Sequence, residues 1–255
     1  MKIRTVDASH GWRWIAAGIA IFRKDPAQWI LLIATLFFVS RVLFVAAATF
    51  GVMLWGLAAI LTPNFLAGLA HGAQAVETGK PLRLGYLASG FLKSALQLIV
   101  IGFVSLAGPL LMMQAMNAVG GDAFAELSAA VASGSATPAG AEAIRAASTR
   151  VMMAMAVGVA ISLPVTMAVW FSPLLVFFDN EKPLAALLLS LWACVKNVLP
   201  LLIYCLSVLI PLMILLPLGL ALRQPDLGLW LLAPVLAPSV YAGYKDLFAA
   251  EDAEQ

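Results

Sequence analysis

The chain has 255 residues, of which 63% are hydrophobic and 11% charged, and its net charge is +2. Soluble domains are roughly a quarter charged, so this composition excludes an ordinary water-soluble globule. The positive charges are few and scattered, which argues against nucleic acid as a partner.

The apolar run at 14–22 is followed by Arg23-Lys24-Asp25-Pro26 instead of a small-residue cleavage site, so no removable signal peptide is expected. Residues 7–24 are too short to cross a bilayer. Trp12, Ile15, Ile19 and Phe22 recur at helical spacing and predict an interfacial helix, with Trp12 and Trp14 at headgroup depth. Residues 29–76 then hold forty-eight positions with one Arg, one Asn and one His. A crossing needs about 20 apolar residues, so this stretch predicts two spans, 26–44 and 52–76, with a turn at 46–51. Arg41 would cost about 2.5–3.5 kcal/mol at mid-bilayer, but near the span end it can snorkel outward. Gly68 and Gly72 form a GxxxG step that would admit a close neighbour.

A second interfacial helix is predicted over 80–93, with Arg83, Tyr86, Ser89, Gly90 and Lys93 on its polar side and Leu82 as the exception. Span three follows at 94–116, loosened at Gly108-Pro109. Residues 118–149 are rich in Ala, Gly and Ser and read as an aqueous loop, with helix over 124–132 and 139–147. Span four is 151–178 and carries Pro164 and Pro173; a third short segment, 182–196, is more apolar than the other two. Spans five (198–222) and six (227–244) complete a single membrane domain over 1–255.

The expected fold class is therefore an all-α integral membrane protein, with six transmembrane helices in three hairpins, each preceded by a short interfacial helix. Eleven Lys and Arg would lie on the side of the two termini and four on the other, which makes both termini cytoplasmic. The three short segments each end in a Lys that leads into a span: Lys24, Lys93 and Lys196. Two of them open with Lys-Pro-Leu, at 80–82 and 182–184, and an acid, Glu77 or Asp179, stands three residues earlier. That pattern points to an internal threefold repeat.

No catalytic or cofactor-binding constellation stands out. With two histidines a His-based metal site is not expected, and Cys194 and Cys205 lack metal or redox spacing and read as buried thiols. Polar residues near span ends, among them Arg41, His71, Glu77 and Asp179, read as structural groups more than as ligands. The basic residues of the short segments, Arg13, Arg23, Lys24, Arg83 and Lys93, are the candidate contacts for anionic lipid.

One set of cues is Gly11-Trp12-x-Trp14-Ile15, Phe22-x-Lys24-x-Pro26-x-x-Trp29 and Ala67-Gly68-Leu69. A second is Trp170-Phe171-Ser172-Pro173-Leu174 and Ser239-x-Tyr241-x-x-Tyr244-x-Asp246-x-Phe248. Together they resemble a family of bacterial six-span inner-membrane proteins labelled only as hypothetical or uncharacterised. A looser similarity is to the membrane domain beside some bacterial glycerophosphodiester phosphodiesterases, whose soluble enzyme domain is absent here. The resemblance supplies no activity. The expectation is a non-enzymatic component of the inner membrane that organises lipid, binds a membrane-protein partner or self-associates. The alternative is a small-molecule or lipid transporter using proline-broken spans four to six.

Overall fold

The computed structural model describes residues 3–133 and 138–248, and at 47–50, 52, 55, 133, 138 and 139 the backbone alone. Of the chain's described residues 88% are helical, and no strand occurs among them. Its helices are α1 (His10–Lys24), α2 (Pro26–Phe50), α3 (Val52–Glu77), α4 (Ser89–Lys93), α5 (Ala95–Gly120) and α6 (Ala123–Ser133). They continue with α7 (Pro138–Trp170), α8 (Ser172–Asp179), α9 (Pro183–Lys196), α10 (Val198–Ala221) and α11 (Leu227–Phe248). Among the described residues five stretches are long and apolar enough to cross a membrane: Pro26–Ala46, Ala95–Gly120, Gly140–Asp179, Val198–Ala221 and Leu227–Phe248. Helix α3 has 26 residues; its positions 52 and 55 are described by backbone alone, and it is not one of these five.

Two compact units are present, Met1–Phe103 with Met167–Gln255, and Val104–Thr166. In the smaller unit the α5 and α7 portions run antiparallel. Gly108 faces Val165, Gly158 faces Met112 and Met116, and Gly120 faces Ala154. Glu126 of α6 forms an ion pair with Arg150 of α7. The segment 118–149, expected as a loop, is therefore mostly helix, and the predicted pieces at 124–132 and 139–147 fall inside α6 and α7. The turn-forming residues 134–137 lie outside the described residues.

The core of the larger unit gathers at one end of its long helices. Trp29 and Leu32 of α2, Ala67 and Ala73 of α3, Leu98 and Ile101 of α5, and Leu247 of α11 are all fully buried there. Away from that end α2 and α10 present Phe38, Val45, Ile210 and Ile214 outward, as suits helices solvated by hydrocarbon. Helix α1 packs on α10 and α11. Trp12 is 57% exposed, but Trp14, expected at headgroup depth beside it, is 4% exposed and packs against Tyr204. The two tryptophans lie about 200° apart on the helix, so one can face outward only if the other faces in.

Two further expectations are corrected. Residues 80–93 are not one amphipathic helix: after an extended stretch, a 3-10 turn at Leu84–Ala88 leads into the five-residue α4. Leu82, the residue that did not fit the wheel, is 3% exposed and packs beside Gly72, while Gly68 lies against the backbone of Tyr86 and Leu87. The GxxxG step therefore receives this turn segment instead of a spanning helix. Span four also does not end as one helix. It breaks at Phe171, and its last residues form the nearly wholly buried α8.

The cause of that break is a side chain inserted into the helical ladder. In a continuous helix the Phe171 N–H would donate to the Met167 carbonyl. Here it donates to Ser190 Oγ at 2.9 Å, and that hydroxyl donates to the Met167 carbonyl at 2.7 Å. Pro173, two residues on, has no N–H to resume the pattern, and the Ser172 hydroxyl takes up the Val169 carbonyl.

Three junctions share a local form. Each short helix ends in Lys24, Lys93 or Lys196, one polar residue leaves helical geometry (Asp25, Ser94, Asn197), and a long helix begins. Asn197 does more than break the helix. It accepts from the Val6 N–H and donates to the Arg4 carbonyl, so the N-terminal segment is tied to this junction.

Candidate functional site

Helices α3 and α8 end on Glu77 and Asp179, and α11 carries Asp246 in its last turn. A carboxylate there faces the negative end of the helix dipole, so each depends on donors from elsewhere. Tyr241, Tyr244, Lys245 and Phe248 follow the i, i+3, i+4, i+7 spacing, which puts them on one stripe of α11. Glu77 accepts from the Tyr241 hydroxyl at 3.1 Å and forms an ion pair with Lys245. Asp179 accepts from the Tyr244 hydroxyl at 2.5 Å. Asp246, on another face of α11, meets α1: His10 Nδ1 lies 2.6 Å away and the Trp14 indole N–H donates at 2.8 Å.

Phe178 stacks on Tyr244 with ring centres 5.5 Å apart and lies tilted to Tyr241 at 5.7 Å. These rings, with Gln74, Asp179 and Phe248, line a cavity of about 330 Å³. Lys245 also borders it, its ammonium 5.2 Å from the Tyr241 ring centre.

The five basic residues singled out from the sequence do not converge. Arg23 and Arg83 are exposed, and the structure gives their side chains no partner among the described residues. Arg13 is exposed and reaches His10 Nε2 at 3.2 Å. Lys24 and Lys93 turn toward helix ends instead: Lys24 donates to the Glu77 carbonyl at 3.2 Å and Lys93 to the Phe177 carbonyl at 2.5 Å. Both cations thus complement the C-terminal carbonyls of the helices that carry the acids.

A second concavity lies between α2 and α3 and is closed on one side by Trp230 of α11. It too measures about 330 Å³, and its walls include Leu36, Val39, Leu43, Leu54 and Phe65. Its two hydroxyls are bonded to their own helices, Ser40 to the Phe37 carbonyl and Thr62 to the Ala58 carbonyl, so the lining is effectively apolar. Arg41 stands in its wall. It pairs with Asp226 at 2.6 Å and donates to Gln224 at 2.7 Å, and Asp226 also accepts from the Trp230 indole. Its guanidinium lies 5.2 Å from the Phe37 ring centre and 5.5 Å from that of Phe44. Arg41 is thus held by a carboxylate from the turn that precedes α11, where the sequence suggested outward snorkelling.

Cys194 and Cys205 are both free. Cys194 is buried as expected, and burial pushes its thiol up to about 12, whereas Cys205 is exposed on α10. No group of three or more His, Cys, Asp or Glu suited to a metal ion occurs among the described residues.

The fold and these sites define a helical membrane protein whose polar groups gather at helix ends. The chain is 26% identical over 200 residues to a Burkholderia thailandensis protein named as a probable inner membrane protein, an alignment covering 77% of this chain and 71% of that one. With the apolar helices, this likeness supports a multi-pass inner-membrane protein. No family model matches, and no solved structure matches. The looser similarity to the phosphodiesterase-associated membrane domain gains no support from these comparisons.

Proposed function

We propose that the chain is a non-enzymatic, lipid-organising component of the inner membrane, with six spans in three hairpins and both termini on the cytoplasmic side. The observation that carries this reading is the α2–α3 groove. Its lining is apolar because its hydroxyls are bonded internally, and it opens among helices whose outer faces are Phe, Val and Leu. A groove of that lining in hydrocarbon suits a lipid acyl chain, and the one charged residue in its wall, Arg41, is paired with Asp226. The exposed Arg23 and Arg83 would add headgroup attraction of about 1 kcal/mol each, roughly fivefold in affinity. The transporter alternative draws less support. The buried polar groups between the proline-bearing α10 and α11, Tyr204 and Ser239, bond to each other at 2.8 Å.

Native mass spectrometry of the gently purified protein tests this reading. Lipid should remain bound to the wild type, and filling the groove with Ala58→Trp should cut retention at least fivefold. Arg23→Gln with Arg83→Gln should selectively lower retention of anionic lipid. Retention unchanged by Ala58→Trp, or a wild type that holds no lipid, contradicts it.

A further inference from the structure

Glu77 and Asp179 occupy equivalent places in the sequence pattern, each three residues before a Lys-Pro-Leu. Their surroundings match up to a point. Each accepts from a tyrosine of α11, Tyr241 for Glu77 and Tyr244 for Asp179. Glu77 also holds an ammonium group, that of Lys245, which sits close to the Tyr241 ring. Asp179 has the hydroxyl and the rings, but no ion pair among the described residues. Lys93, the neighbouring cation, is spent on the Phe177 carbonyl. Where the second ammonium would complete the match, the structure has the cavity of about 330 Å³.

We propose that Asp179, with the rings of Phe178 and Tyr244, binds an organic ammonium group, as Glu77 and Tyr241 hold Lys245. The charge sign follows from the Asp179 carboxylate, because the two nearby cations are engaged elsewhere, Lys245 at the cavity edge with Glu77 and Lys93 with the Phe177 carbonyl. The organic character follows from the walls, because aromatic faces attract ammonium groups through their quadrupole. A hard metal ion would need six or more oxygen ligands, and here Asp179 and the Gln74 amide are the oxygens besides tyrosine hydroxyls. The ammonium can come from a free amine or from the headgroup of an amine-bearing phospholipid. This inference concerns a different cavity from the lipid groove and stands or falls independently of it.

The test uses the full chain in detergent micelles, titrated with ethanolammonium and tetramethylammonium chlorides and followed by saturation-transfer NMR. In parallel, native mass spectrometry compares retention of phosphatidylethanolamine with that of phosphatidylglycerol. The ammonium probes should bind at least tenfold more tightly than their uncharged isosteres, ethylene glycol and neopentane, and Asp179→Asn should lose at least tenfold. Binding of the soluble probes assigns a free amine, and selective retention of phosphatidylethanolamine assigns the headgroup; either result supports the proposal. The isostere comparison is made on the wild type, so a misfolded Asp179→Asn leaves the question answerable. Isosteres that bind equally, binding undiminished in folded Asp179→Asn, or binding from neither source would overturn the proposal.

Discussion

Replacing Gly18 by leucine is expected to destabilise the protein by about 3 kcal/mol, the upper part of the range for overpacking. A Cβ at Gly18 would stand 2.6 Å from the Val235 carbonyl oxygen, 2.7 Å from Ser239 Cβ and 2.9 Å from Ser239 N. Two of these are backbone atoms of α11 and cannot rotate away. Gly11, two turns earlier on α1, lies against the backbone of Pro200 and Tyr204 in the same manner. These two glycines let α1 dock closely on α10 and α11, and the docking brings Trp14 and His10 to Asp246. The side chain can be accommodated only if α1 lifts, which breaks both contacts and wets the indole. Thermal unfolding in detergent should fall by several degrees, with a red shift in tryptophan emission. An unchanged midpoint and spectrum would show that α1 is not seated as described.

Ser190→Ala should cost about 2 kcal/mol, the penalty for a buried backbone group left without its partner. Ser190 is fully buried, and its hydroxyl alone joins the Phe171 N–H to the Met167 carbonyl across the gap between α7 and α8. Without it the Phe171 N–H must either stay unpaired, the Met167 carbonyl keeping only the Cys194 thiol at 3.5 Å, or close on that carbonyl and straighten the helix. Straightening would drag α8 from its buried seat and move Asp179 away from Tyr244. Either path loses stability, which a thermal melt reads directly. Ser190→Ala melting with the wild type would remove the inserted hydroxyl as the cause of the break.

The long helices were legible from composition because a bilayer imposes a length: α2, α5, α10 and α11 begin within about a residue of their predicted positions. Their ends were less so. Helix α2 continues to Phe50, and Gly51 turns in one step with φ of 90°, so no six-residue turn was needed. The Ala-rich stretch after 138 is polar enough for water and reads as an aqueous loop with a separate helix over 139–147, yet alanine is the best helix former and α7 runs unbroken from there into the span. At 80–93 periodicity misleads: Tyr86, Ser89 and Lys93 share one side of a wheel, yet Arg83 is extended and a 3-10 turn precedes α4, although the same Lys-Pro-Leu opens α9 as a continuous helix.

The candidate site was half visible. Glu77 and Asp179 were marked by their shared spacing to Lys-Pro-Leu, and Tyr241, Tyr244 and Asp246 by their part in the C-terminal motif. Nothing local joins the two sets, because Tyr241 and Glu77 are 164 residues apart. The stripe of 241, 244, 245 and 248 states which residues share a face, and a single sequence carries no record of what that face meets. The same limit hid Arg41 with Asp226, since an Arg at a span end looks identical whether it snorkels or pairs.

The claim on which the account rests is that hydrocarbon surrounds six crossings whose ends both face the cell interior. Cysteine accessibility in intact cells tests it most directly, using a background of Cys194→Ala and Cys205→Ala and a membrane-impermeant maleimide. The account predicts labelling from outside at Arg223→Cys and Gly121→Cys, and labelling at Thr78→Cys and Glu181→Cys only after the membrane is opened. Thr78→Cys or Glu181→Cys reacting in intact cells, or Arg223→Cys protected there but reactive in lysate, would contradict it.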